Sequence, residues 1–191
     1  MPRNGVILAA LSATALALAG CGGSGGSSKP APVDPQSQRF EQRGFEITFH
    51  YPTELKQSKL ALGGSLGTES GKAGFGIDKD NVIMVSRYDL RRPVTAAGLS
   101  TVKWEVDGVI KQLAGREVPG RRVLYGGLPG YAYRVPLGSP DGGVSRLFVL
   151  FDNAVEYFFN CQSTPESRYE IDQACDEALT TIKKLRPSAK L

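Results

Sequence analysis

Three cysteines and one histidine are the residues in this 191-residue chain best suited to covalent or acid–base chemistry. Cys21 stands just after an apolar run, Val6 to Ala19, and just before a glycine-serine stretch. A thiol at such a junction suits acylation. Cys161 and Cys175 are an even pair, suited to a disulfide or to a metal. His50 is the only imidazole, the side chain that most often serves as a general base near neutral pH.

Arg3 and the apolar run have the layout of a secretory signal peptide. The run is too short to cross a bilayer core, which needs about 20 apolar residues. Leu18-Ala19-Gly20-Cys21 resembles the bacterial lipobox: Leu, two small residues, then Cys. By that resemblance, cleavage falls between Gly20 and Cys21, and the Cys21 thiol receives a diacylglycerol. Two acyl chains suffice for stable anchoring, since each buried CH₂ contributes about 0.8 kcal/mol. The expected site is the extracytoplasmic face of a cell membrane, with the membrane as partner through Cys21. An ordinary secreted protein with a chance cysteine, or an uncleaved anchor helix, are the alternatives.

Export favours oxidation. A Cys161–Cys175 disulfide is therefore expected, worth about 3 kcal/mol in the chain-entropy picture. Two buried free thiols are the alternative. A metal site is disfavoured by the single histidine and the absence of CxxC. His50 lies on the polar side of an alternating strand, with no partner that the sequence assigns. No GxSxG or other nucleophile signature accompanies it, so no catalytic residues are assigned. No cofactor is expected.

Charge excludes little but points away from nucleic acid. Arg3 leaves with the leader, so 22 basic residues face 19 acidic ones, a net charge of +3. A nucleic-acid binder concentrates its basic residues in a stripe. Here there are only the pairs Arg91-Arg92 and Arg121-Arg122, read as solvated loop charges, with weak attraction to anionic lipid as the alternative.

The elements that must hold these residues follow from periodicity. The chain divides into a signal peptide (1–20), a lipidated Cys with a Gly/Ser/Pro-rich tether (21–38) and one domain (39–187), long enough for a proper core. Phe45, Ile47, Phe49 and Tyr51 alternate with Glu46, Thr48 and His50, a half-buried strand stopped by Pro52. Strands are also expected over 59–62, 73–77 and 82–90, with Asp78-Lys79-Asp80-Asn81 as a hairpin tip. That tip lacks the Gly and the distant Glu of a calcium loop.

The spacing predicts a helix over 95–114, with Leu99, Val102, Val106, Val109, Ile110 and Leu113 on its buried stripe and Gly115 as its C-cap. Trp104 falls opposite that stripe. It either packs under a neighbouring loop or contacts a partner or ligand, as Trp often does at interfaces. Strands over 121–125 and 131–135 flank a turn, Gly126 to Gly130, with no following helix or Lys-Ser/Thr to cradle a phosphate. Ser139 to Gly143 signals a second hairpin. The runs 144–151 and 155–161, joined at Asp152-Asn153, form a further hairpin expected at the sheet centre. Thr164-Pro165-Glu166 opens a last helix with Ile171, Cys175, Ala178 and Ile182 inward, ending before Pro187.

Phe45-Glu46-Ile47-Thr48-Phe49-His50-Tyr51-Pro52 resembles the opening strand of PsbP-like domains, and Gly127-Leu128-Pro129-Gly130-Tyr131 is similar to one of their turns. With its lipobox and two further cysteines, the chain is similar to actinobacterial lipoproteins carrying this domain, including the LpqN/LpqT type. The resemblance, over about residues 40–184, implies an α+β fold: a twisted antiparallel sheet with helices on both faces, an α/β/α sandwich. It implies no enzymatic activity, but an accessory or binding module that docks on a larger assembly. The photosystem role does not carry over, because nothing in the sequence indicates a photosynthetic host. A carrier of a hydrophobic small molecule or lipid is the alternative.

Overall fold

The computed structural model describes residues 36–57, 65–138 and 142–185. The leader, Cys21 and most of the tether lie outside the described residues, as do the strand expected over 59–62 and the tip of the hairpin at 139–141. A small antiparallel sheet contains β1 (Ser37–Phe40), β2 (Ile47–Pro52) and β9 (Lys183–Lys184), in the order β1-β2-β9. A large one has the order β3-β4-β5-β8-β7-β6, from β3 (Lys56–Gln57), β4 (Thr68–Gly76), β5 (Val82–Val94), β6 (Arg121–Tyr125), β7 (Leu128–Pro136) and β8 (Val144–Ser163). Helices α1 (Leu99–Ala114) and α2 (Arg168–Thr180) complete it. Ser37 and Gln38, read with the tether, belong to β1.

β8 is a continuous extended run of 20 residues, but it is not straight. Ser145 Oγ donates to Asn160 Oδ1 at 2.5 Å. At about 3.3 Å per residue a straight strand would hold them about 50 Å apart. The run therefore doubles back at Asp152-Asn153, where Asn153 takes a left-handed φ of +54°. One arm (144–150) pairs with β7 and the other (155–162) pairs with β5. This is the expected central hairpin.

Two cores lie on opposite faces of the large sheet. On one face, Phe40, Phe49, Phe75 and Phe159 pack beneath the small sheet and α2, with ring centroids 4.5–6.2 Å apart. On the other face, Leu99, Val102, Val106 and Ile110 of α1 pack on Tyr131, Tyr133, Phe151 and Phe158. Each buried side chain contributes about 1.5–3 kcal/mol. The expected α+β sandwich is the fold observed. Cys161 on β8 and Cys175 on α2 are both buried and joined in a disulfide, with Cα atoms 6.0 Å apart.

Several boundaries differ from the sequence reading. Both helices start later, at Leu99 rather than Thr95 and at Arg168 rather than Thr164. Thr95 closes a turn ahead of α1, its Oγ1 accepting from the Gly98 N–H at 3.2 Å. The Thr164 N–H goes to Asn81 Oδ1 at 2.8 Å and not into α2. Leu113 is 45% exposed and Val109 only half-buried, so both leave the α1 stripe, where Ala114 packs instead. Gly115 caps α1 at φ +67°, as expected.

The glycine-rich turn is shorter than 126–130. Gly126 and Gly127 alone turn, at φ +55° and +77°, the two left-handed residues of a tight hairpin. Pro129 and Gly130 already lie in β7. Gly130 answers to packing: a Cβ there would sit 2.0 Å from the Val149 carbonyl oxygen. The polar side of β2 is also covered at its middle, by β1: Arg39 Nε donates to Thr48 Oγ1 at 2.9 Å. Thr48 is buried, donating to the Phe40 carbonyl at 2.7 Å.

Candidate interaction surface

Two tyrosines of β7 fix how α1 lies on the sheet. Tyr131 Oη donates to the Leu99 carbonyl at 3.2 Å, at the start of the helix. Tyr133 Oη donates to Asp107 Oδ1 at 2.7 Å, two turns on. Lys103 Nζ pairs with Asp107 Oδ2 at 2.6 Å and stands 5.5 Å from the Tyr131 ring centroid. Burial, and then the Asp107 carboxylate, hold the Tyr133 hydroxyl firmly protonated. A helix pinned at both positions cannot roll, so its outward face is defined.

Trp104 occupies that outward face and is 73% exposed, so it does not pack under a loop. One turn on is Gly108, where a Cβ would meet nothing within 4 Å. A mid-helix glycine costs roughly 0.5–1 kcal/mol relative to alanine, and here nothing packs against it to require one. Beside the two residues runs an open groove of about 600 Å³, walled by Trp104, Val118 and Pro119. Lys111 Nζ pairs with Glu117 Oε1 at 3.0 Å across it. A rigid aromatic beside a bare stretch of helix suits protein contact: indole anchors dominate many interfaces.

The other expected site residues stand apart from this face. His50 is half-buried on β2, its backbone N–H donating to Thr181 Oγ1 at 2.8 Å and its buried Nδ1 without a hydrogen-bond partner among the described residues. Cys161 and Cys175 are consumed in their disulfide on the opposite face of the sheet. Asp78 is structural: its Oδ1 accepts from the N–H groups of Asp80 and Asn81 at 2.8 and 2.9 Å. The Asn81 side chain adds a further donor and, with these, holds the Asp78 carboxyl below its usual range. Arg92 pairs with Glu105 of α1.

Sequence reasoning missed the seating of α1. Tyr131-x-Tyr133, two phenols on one side of a strand, was the available signal. It also missed Glu156, an acid within the apolar run Val155–Phe159. Glu156 is 1% exposed, and burial pushes its carboxyl up to about 7. Ser65 Oγ donates to its Oε1 at 3.0 Å, and Oε2 has no partner.

No protein-family model matches the chain, and no curated protein sequence does. Solved structures do match. A Bacteroides thetaiotaomicron VPI-5482 protein superposes with a TM-score of 0.55 at 10% identity over 82% of this chain. The chain spans about half of that protein, 51% of its length. Cyanobacterial PsbP (CyanoP) from Synechocystis sp. PCC 6803 superposes with a TM-score of 0.56 at 15% identity, over 87% of this chain and 98% of that one. At these identities the likeness is one of fold, and the fold is PsbP-like.

Proposed function

We propose that this chain is a non-enzymatic accessory module of the cell envelope, docking on a larger protein through the α1 face around Trp104. Residues 39–187 form its domain. A lipid on Cys21 holds it to the extracytoplasmic face of the membrane, and residues 22–38 space it from the bilayer. The observation that carries the docking role is Trp104, 73% exposed beside Gly108 on a helix whose orientation β7 fixes. An indole left mostly exposed forgoes a large part of the roughly 1.5–3 kcal/mol that full burial of a large apolar side chain contributes. The lipid anchor rests on Leu18-Ala19-Gly20-Cys21 and the apolar run before it.

Two measurements test the reading. Labelled fatty acid is incorporated into the chain and the label is lost with Cys21→Ser; a soluble, unlabelled wild-type chain would remove the anchor. An envelope protein co-purifies with the chain and is lost with Trp104→Ala; unchanged co-purification would remove the docking face.

A further inference from the structure

We infer that the β6–β7–β8 face around Ala132 is a binding site for a phosphate-class oxyanion, held between Arg121 and Arg134. The strand registers place three arginines around one small residue. Arg121 stands opposite Ala132, Ala132 opposite Phe148, and Arg134 opposite Arg146. Directly opposed residues share a face of an antiparallel sheet, and Ala132 and Arg134, two apart on β7, share it as well. All three guanidinium groups therefore rise from the face that carries α2. They line an open groove of about 460 Å³ with Ala132 and Phe148.

The charge within that groove is compensated unequally. Arg146 is held by α2, its Nη1 3.0 Å from Asp172 Oδ1 and its Nη2 2.5 Å from Asp176 Oδ1. Its guanidinium also lies 5.4 Å from the Phe148 ring centroid. Both carboxylates are thereby engaged. Arg121 and Arg134 form no hydrogen bond or ion pair with the described residues, and both are exposed. Like charges placed directly opposite on paired strands are destabilising, and diagonal neighbours lie about 7–8 Å apart. Arg121 and Arg134 are such a diagonal pair, so two uncompensated guanidinium groups of like charge rise side by side at the groove, and an oxyanion bridging them would relieve that repulsion. Arginine's planar fork matches two oxygens of such a group at once. The adjacent Arg122 takes no part: its Nη2 reaches the Ala96 carbonyl at 3.3 Å on the other face.

The ligand chemistry is a phosphate, free or as the head group of an anionic lipid. The test uses the chain from residue 21 onward with Cys21→Ser, which keeps every described element and carries no acyl chain. Amide shifts are followed by NMR while inorganic phosphate, or dihexanoyl phosphatidylglycerol below its micelle concentration, is added. Saturable shifts centred on Ala132 and Arg134 are expected, with affinity reduced at least tenfold in Arg121→Gln/Arg134→Gln and several-fold in Arg134→Gln alone. Binding of inorganic phosphate assigns the site to free phosphate; binding of the lipid alone assigns it to the head group. No saturable shift with either probe, or equal affinity in the double variant, overturns the proposal.

Discussion

Ser145 and Asn160 lie 15 residues apart within β8, yet the Ser145 hydroxyl donates to the Asn160 side-chain carbonyl at 2.5 Å. Both side chains are buried. Their contact shows that the central strand is a closed hairpin, and it places β5 and β7 on opposite flanks of that hairpin. Asn160→Ala strands a buried hydroxyl and is expected to cost about 1–3 kcal/mol. Because the partner is what matters, Ser145→Ala/Asn160→Ala is expected to lose less than the sum of the single variants. Urea unfolding of the four proteins measures this coupling. Additive losses would contradict it.

The disulfide ties α2 to the second arm of that hairpin. Cys161→Ala/Cys175→Ala is expected to lower stability by about 3 kcal/mol. The loss belongs to the α2 side, since Cys161 and Cys175 lie in the core opposite α1. Hydrogen exchange is expected to speed up in α2 far more than in α1. Uniform acceleration would show that the two layers open together.

Glu156 sets the pH dependence. Its carboxyl sits at about 7 in the folded chain against an ordinary 4.5, because burial disfavours the charged form. The folded state thus holds a proton that the unfolded chain has released. Stability is greatest below about pH 4.5, falls as pH rises towards 7 and is level above that, a loss on the order of 3 kcal/mol. Glu156→Gln removes this slope and is the more stable protein at pH 8. Urea midpoints from pH 5 to 8 measure it; a slope unchanged in Glu156→Gln assigns the dependence elsewhere.

Gly108 separates stability from docking. Its φ is not left-handed and a Cβ there has open space. Gly108→Ala is expected to stabilise the chain by roughly 0.5–1 kcal/mol while weakening partner capture, because the methyl fills the notch beside Trp104. Thermal unfolding reads the first effect and co-purification the second. A stabilised variant with full capture would take Gly108 out of the docking face.

Local pattern carried much of this fold. Phe45, Ile47 and Phe49, the stripe of Leu99, Val102, Val106 and Ile110, the Asp152-Asn153 turn and the Cys161–Cys175 pair were all legible in the sequence, because each follows from periodicity, turn chemistry or the even pairing of the two cysteines of the domain. The outward position of Trp104 followed from the same helical spacing. What was not legible depends on neighbours distant in sequence. Thr95 read as the first residue of α1 and Thr164 as the cap of α2, but Thr95 closes the turn ahead of its helix and the Thr164 N–H goes to Asn81. Gly130 read as part of a turn, although its role is to let β7 approach Val149. Thr48 and His50 read as solvent-facing, but Thr48 is buried against β1 and His50 is half-buried. The arginines around Ala132 meet only through the register of three strands.

The docking role proposed for the α1 face is tested most directly by crosslinking the full-length chain in the cells that express it and quantifying what co-purifies. Wild type, Trp104→Ala and Tyr169→Ala are compared, since Tyr169 is 72% exposed on α2 and serves as a control of equal exposure. One co-purifying protein is expected to fall at least tenfold with Trp104→Ala, a loss of about 1.4 kcal/mol or more, and to stay at its wild-type level with Tyr169→Ala. The same proteins in the same amounts from wild type and Trp104→Ala would contradict it.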